Sequence, residues 1–184
     1  MVTISKKTRS IGLTAILFGD VVPSGGMPTT MTPIARTLKG TASFTTEQDT
    51  TADFYCEEFP DAPEESVVSE KGLKNLVFNL MEWDNQVLVQ VFGGTTKAGV
   101  SITDAEGNTH SVDKYVAPKE YVEIEKALRV ITPYNVGFDI PRAKILARFI
   151  WNLTRTEIAQ IEVTARAMSP GGASDGTYEV YSIT

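Results

Sequence analysis

Histidine is the side chain best placed to act as a general base at neutral pH, and this chain has one, His110. Ser111 and Asp113 follow it, so the residue types of a nucleophile–base–carboxylate triad stand together in sequence. Neighbours that close along a strand point to different faces and do not form a triad unaided, so His110 reads as a turn histidine. The acids offer a second chemistry. Glu123 and Glu125 alternate onto one strand face, the arrangement of paired acid/base carboxylates in glycoside hydrolysis. Arg129 shares that face, which favours a charged outer surface or a subunit contact. Glu57-Glu58 and Glu64-Glu65 are adjacent pairs of hard-cation ligands, but such pairs repel unless compensated, and a solvated acidic surface is the simpler reading.

The remaining motifs are weaker. A single cysteine, Cys56, and a single histidine do not build a zinc site, and no intrachain disulfide can form. A lone cysteine also points to maturation in a reducing compartment. The DAEGN turn at 104–108 lacks the spaced acids and terminal Glu of a calcium loop. GGTTKAG at 93–99 lacks the Gly-Lys-Ser/Thr order of a phosphate loop. No catalytic residue, metal ligand or cofactor is assigned, and the chain is expected not to be an enzyme.

The 184 residues are 42% hydrophobic and 22% charged, which fits a single domain over 1–184. Net charge is −6, and it is unevenly placed. Residues 1–46 carry +4, residues 47–70 carry nine acids and no base, and residues 71–184 carry −1. A basic nucleic-acid reader is excluded as a description of the whole chain. Lys6, Lys7 and Arg9 precede an apolar run at 11–18, superficially like a signal peptide, but no small-residue cleavage site follows and the run reads as a strand. No stretch reaches the roughly 18 apolar residues of a membrane span.

The elements that must position these groups are mostly strands. Residues 11–19 read as the first, followed by a Pro/Gly-rich loop at 20–33. Residues 38–47 alternate, with Leu38, Gly40, Ala42 and Phe44 on one face. The acidic stretch 47–70 keeps Phe54, Tyr55 and Phe59, and reads as a long loop, either built for partner contact or folded back on its own domain. Residues 73–81 alternate again. Asp84 caps a short helix through Phe92 whose stripe is Trp83, Val87, Leu88 and Val91, with Gly93-Gly94 ending it; a strand is the alternative there. A hairpin is predicted over 100–116. A strand follows at 121–132 with Val122, Ile124, Leu128 and Val130 inward, then a short piece at 138–140. Another strand spans 143–153, with Ile145, Ala147, Phe149, Trp151 and Leu153 on one face. Residues 156–168 fit helix or strand, the neighbours favouring strand, and a closing strand runs 178–183. Eight or nine strands with one helix predict an antiparallel β-sandwich or barrel.

Three passages taken in order carry a resemblance: TLKGTASFTTEQDTTADFYCEE, then GLKNLVFNLMEWDNQVLVQVFGGTT, then YVEIEKALRVITPYNVGFDIPRAKILARFIWNLTRTEIAQIEVTARAMSP. Together they span roughly 38–170, and their succession resembles the tail-tube (major tail) proteins of long-tailed bacteriophages. The resemblance implies a β-sandwich with a flanking helix, with 20–33 and 47–70 as insertions. It implies six copies in a ring and rings stacked into the conduit for DNA ejection. The implied partners are the chain itself, a tape-measure protein, tail terminator or tail-tip proteins, and double-stranded DNA passing without specific binding. No membrane is implied. The place is the virion tail, after assembly in the host bacterial cytoplasm. On this reading Lys39, Thr41, Ser43, Thr45, Lys74, Asn75 and Asn79 face the lumen, and Tyr55, Phe59, Asp61 and Glu64 make inter-ring contacts. A β-sandwich carbohydrate- or receptor-binding module is the alternative. It leaves unexplained why apolar residues recur on both faces of 143–153.

Overall fold

The computed structural model describes residues 10–134, 136–172 and 176–182; Lys6, Lys7, Arg9 and Ile183 lie outside the described residues. The fold is mainly β, antiparallel throughout, with one short helix. The strands in chain order are β1 (Ala15–Gly19), β2 (Thr32–Pro33), β3 (Ser43–Thr46), β4 (Thr50–Phe54), β5 (Glu65–Glu70) and β6 (Lys74–Leu80). After helix α1 (Asn85–Phe92) come β7 (Thr95–Thr103), β8 (Thr109–Val116), β9 (Ile124–Ile131), β10 (Val136–Ile150), β11 (Gln160–Ala167) and β12 (Glu179–Ser182). The main sheet runs β2-β1-β9-β10-β11-β6-β3, with β12 beside the first part of β10. Two hairpins, β4-β5 and β7-β8, form separate two-stranded sheets.

The main sheet curls around its own core. Three strands separate β1 from β6, which in a flat sheet would place them ~19 Å apart at about 4.8 Å per strand. Instead the Phe18 and Phe78 rings meet edge-on at 6.4 Å. Residues 32–38 join the two edges. Leu17 pairs with Pro33 and the Ile34 amide donates to the Ile16 carbonyl at 3.2 Å. Farther along, Thr37 bridges Leu80, the Leu38 amide donates to the Asn79 carbonyl at 2.7 Å, and the Met81 amide donates to the Arg36 carbonyl at 3.0 Å. The result is barrel-like, and it leaves few open edges in the main sheet. Alternate residues fill the interior: Ile16 and Phe18, Leu76, Phe78 and Leu80, Leu128 and Val130, Ile140 and Ile145, Ile161 and Val163.

Helix α1 forms as the sequence predicts. The Asp84 carboxylate accepts the Val87 amide at 2.8 Å, and Val87, Leu88 and Val91 are buried against the sheet. Gly93 ends the helix at φ 73°, where its amide donates to the Val89 carbonyl and a Cβ would press on Val122.

Several expected boundaries differ. The strand expected at 11–19 begins at Ala15, and β2 lies within the expected loop. The strand expected over 38–47 is only Ser43–Thr46, because Lys39-Gly40 make a turn. The stretch 47–70 is a hairpin and not a loop. The hairpin expected at 100–116 begins at Thr95. The short piece at 138–140 and the strand at 143–153 are one strand, β10, because a bulge at Pro141-Arg142 lets the chain cross the proline without leaving the sheet. That strand ends at Ile150, so Trp151 and Leu153 leave the expected buried face and stand exposed. Val122 precedes β9 and is likewise exposed. Residues 160–167 are strand, as their neighbours predict.

Candidate functional site

The residues that looked chemical in the sequence are tied into ion pairs. Arg142 grips Glu125 through two hydrogen bonds of 2.9 and 2.8 Å, and Lys144 donates to Glu123 at 2.6 Å. The Lys144 hydrogen bond holds the Glu123 carboxyl below its usual range, the opposite of what a proton donor needs. Arg129 leaves that group and takes Asp139 through bonds of 2.8 and 2.6 Å. His110 Nε2 lies 2.8 Å from Asp104 Oδ2 across the hairpin turn. Ser111 pairs with Ser101, and the Asp113 carboxylate accepts the Gly99 amide at 3.1 Å, so the three sequence neighbours are not brought together. Of the phosphate-loop-like segment, Gly93 caps α1 and Thr95–Gly99 belong to β7. Among the described residues, no three of His, Cys, Asp and Glu are grouped to hold a metal ion.

The larger feature is an arm. Strands β3 and β6 pair within the barrel and then continue outward as β4 and β5. At its base the Glu47 amide donates to the Leu73 carbonyl at 2.8 Å. The Asp49 carboxylate accepts the Gly72 amide at 2.8 Å and the Lys71 ammonium at 2.9 Å. Gly72 is needed there, since a Cβ would collide with the Glu47 carbonyl. Strand β5 is exposed along its whole length. At the tip Phe54, Tyr55 and Phe59 are 56%, 58% and 77% exposed, and Cys56 bridges Phe59. Asp61 and Glu64 stand on the same exposed tip. Among the described residues Glu57, Glu58, Asp61, Glu64, Glu65 and Glu70 have no ion-pair partner. The four predicted contact residues are therefore gathered on one projecting element.

The predicted lumen residues are gathered less well. Cross-strand register puts Ser43, Thr45, Asn75 and Asn79 on the outer face of the sheet, with Glu162, Thr164 and Arg166 of β11 and Lys144, Leu146 and Arg148 of β10. Arg148 and Glu162 pair there through bonds of 2.7 and 2.9 Å, and Asn79 donates to Gln160 at 2.8 Å. Among the described residues, Asn75 Oδ1 and Arg166 Nε are buried on this face without a hydrogen-bond partner. Lys74 does not join the set: it follows the alternation of Leu76, Phe78 and Leu80, on the opposite face from Asn75. Thr41 is spent on structure, its hydroxyl donating to the Leu38 carbonyl and accepting the Asn79 amide. Lys39 sits in the turn, beside a groove of about 860 Å³ that Leu13, Ala35 and Phe44 also line.

A second surface was not singled out from sequence. Trp83, Phe92, Phe149 and Trp151 form one aromatic shelf: Phe92 stacks on Phe149 at 4.9 Å, and Trp83 meets Phe149 and Trp151 at 5.7 and 5.8 Å. Trp151, Leu153 and Ile158 beside it are 58%, 87% and 46% exposed. Its sequence trace was the apolar alternation of 143–153 continuing past the point where the barrel could cover it. No described helix is long and apolar enough to cross a membrane. No protein-family model matches the chain, and no curated protein matches it.

Proposed function

We propose that this chain is a structural virion protein that assembles, six copies to a ring and ring upon ring, into a phage tail tube through which DNA is ejected. The observation that carries the reading is the β4-β5 arm. A two-stranded hairpin is marginal in water by itself, yet this one extends from the barrel with both strands hydrogen-bonded only to each other. It exposes three aromatic rings and six unpaired carboxylates. Such an element is stabilised by being covered, and a subunit repeated along an assembly supplies the cover. The barrel-like body supports the same reading, because its curl leaves few open edges in the main sheet while the arm and the β7-β8 hairpin keep theirs open. The held carboxylates Glu123 and Glu125 favour a surface over a catalytic pair. Tape-measure, terminator and tip proteins are the further partners on this reading, and DNA passes an acidic chain that has no reason to grip phosphate.

A carbohydrate- or receptor-binding module is the second reading, favoured by the exposed tryptophan of the shelf. Negative-stain electron microscopy of the purified full chain separates the two. Rings or tubes with a central channel are expected. Monomers that bind glycan and form no ring would replace the first reading with the second.

A further inference from the structure

The arm and the aromatic shelf lie at opposite ends of the same strands. Strand β6 begins at Lys74 beside the base of the arm and ends at Leu80, just before Trp83. Antiparallel register carries that end across the sheet: Leu80 faces Ile161, and Gln160 faces Ile150, the residue before Trp151. Each barrel thus has an arm at one end and an uncovered apolar surface at the other, separated along β6 by about 20 Å.

We infer that the arm tip of one copy, through Phe54, Tyr55 and Phe59, docks on the shelf of Trp83, Phe149, Trp151 and Leu153 of a second copy. This rests on the reading of the chain as a self-assembling subunit and specifies which surfaces meet. Two observations select this pairing. The first is charge. An isologous contact would set arm against arm, and residues 47–70 hold nine acids and no base, so like charges would be forced together. The acids beside the shelf are held by other groups: the Asn152 amide engages Glu157 at 2.6 Å, Asp84 caps α1, and Glu82 lies 3.5 Å from Arg36. Arg155 is without an ion-pair partner among the described residues and is free to meet an arm carboxylate. The second is polarity. A contact from one end of a subunit to the opposite end of the next is heterologous and leaves a free arm and a free shelf at the two ends of the pair. It repeats without limit, whereas arm-to-arm contact stops at a dimer.

Two single-cysteine proteins test the inference, both carrying Cys56→Ser: one with Phe59→Cys, the other with Leu153→Cys. Both new sites are highly exposed, 77% and 87%, so the fold should tolerate them. The proteins are mixed at a concentration where the full chain assembles and treated with a short bismaleimide cross-linker. A covalent dimer is expected in the mixture and not in either protein alone. A dimer formed by the Phe59→Cys protein alone would overturn the inference in favour of arm-to-arm contact. No cross-link in the mixture, with the unmodified chain still forming tubes, would overturn the docking and leave the proposed function standing. An unmodified chain that stays monomeric at every concentration would overturn both. As a second variant, Leu153→Asp should leave the far-ultraviolet circular dichroism unchanged and raise the concentration needed for assembly roughly tenfold or more. An unchanged concentration would place the arm elsewhere.

Discussion

Phe78 is completely buried and meets Phe18 across the interior, so it reports directly on the curl of the sheet. Phe78→Ala should cost about 3–5 kcal/mol in urea unfolding, through lost burial and the cavity left behind. The Arg129–Asp139 pair works differently. Asp139 is 5% exposed, while Arg129 keeps about a third of its side chain in solvent. Asp139→Ala should therefore cost ~2 kcal/mol, less than a fully buried pair would, and Arg129→Met with Asp139→Leu should recover most of it. Surface pairs set the pH dependence. Arg148 holds Glu162, and Lys144 holds Glu123, below the ordinary glutamate value of 4.5. A carboxyl depressed in the folded state contributes fully above that value and loses its contribution as pH falls through the folded one. The urea midpoint should be flat near neutrality and decline below pH 4.5, with a smaller decline in high salt. At this scale the sequence was informative about the core, because alternation in 73–81 marks Leu76, Phe78 and Leu80 directly. It was uninformative about pairing: Glu125 meets Arg142 rather than Arg129 because the bulge at Pro141 moves Arg142 into reach.

Helix α1 is held at both ends by single residues. Asp84→Ala should destabilise by about 1 kcal/mol through the lost cap, measurable in the same unfolding experiment. This element was legible because capping chemistry is local. The arm was not legible as strands, because neither of its faces is buried and so no alternation marks it; its acids and prolines look like a loop. The segment 38–47 fails in the opposite way. Its alternation is real, but Gly40 bends the chain at φ 81°, and only Ser43–Thr46 stay in the ladder. The arm is also separable. Because Glu47 and Leu73 are hydrogen-bonded across its base, residues 50–70 can be replaced by a short glycine-containing turn without parting β3 from β6. The shortened protein should unfold cooperatively with a urea midpoint close to that of the full chain. It should fail to form stacked tubes by electron microscopy. Tubes of normal length from the shortened protein would remove the arm from the stacking contact.

The whole molecule joins a closed body to open appendages. Antiparallel β architecture was readable from the succession of alternating segments and turns. The closure was not, because residues 32–38 bond to both edges while carrying only two strand residues, Thr32 and Pro33, and a proline there argues against a strand. The division of charge fits this division of shape: the acidic excess sits on the arm, and residues 71–184 are near neutral. On the proposed function the chain builds a hollow assembly from six-membered rings. Native mass spectrometry of the full chain across a concentration series tests it most directly. Species at six times the 20.1 kDa chain mass and at multiples of that ring are expected. A single 20.1 kDa species at every concentration would contradict it.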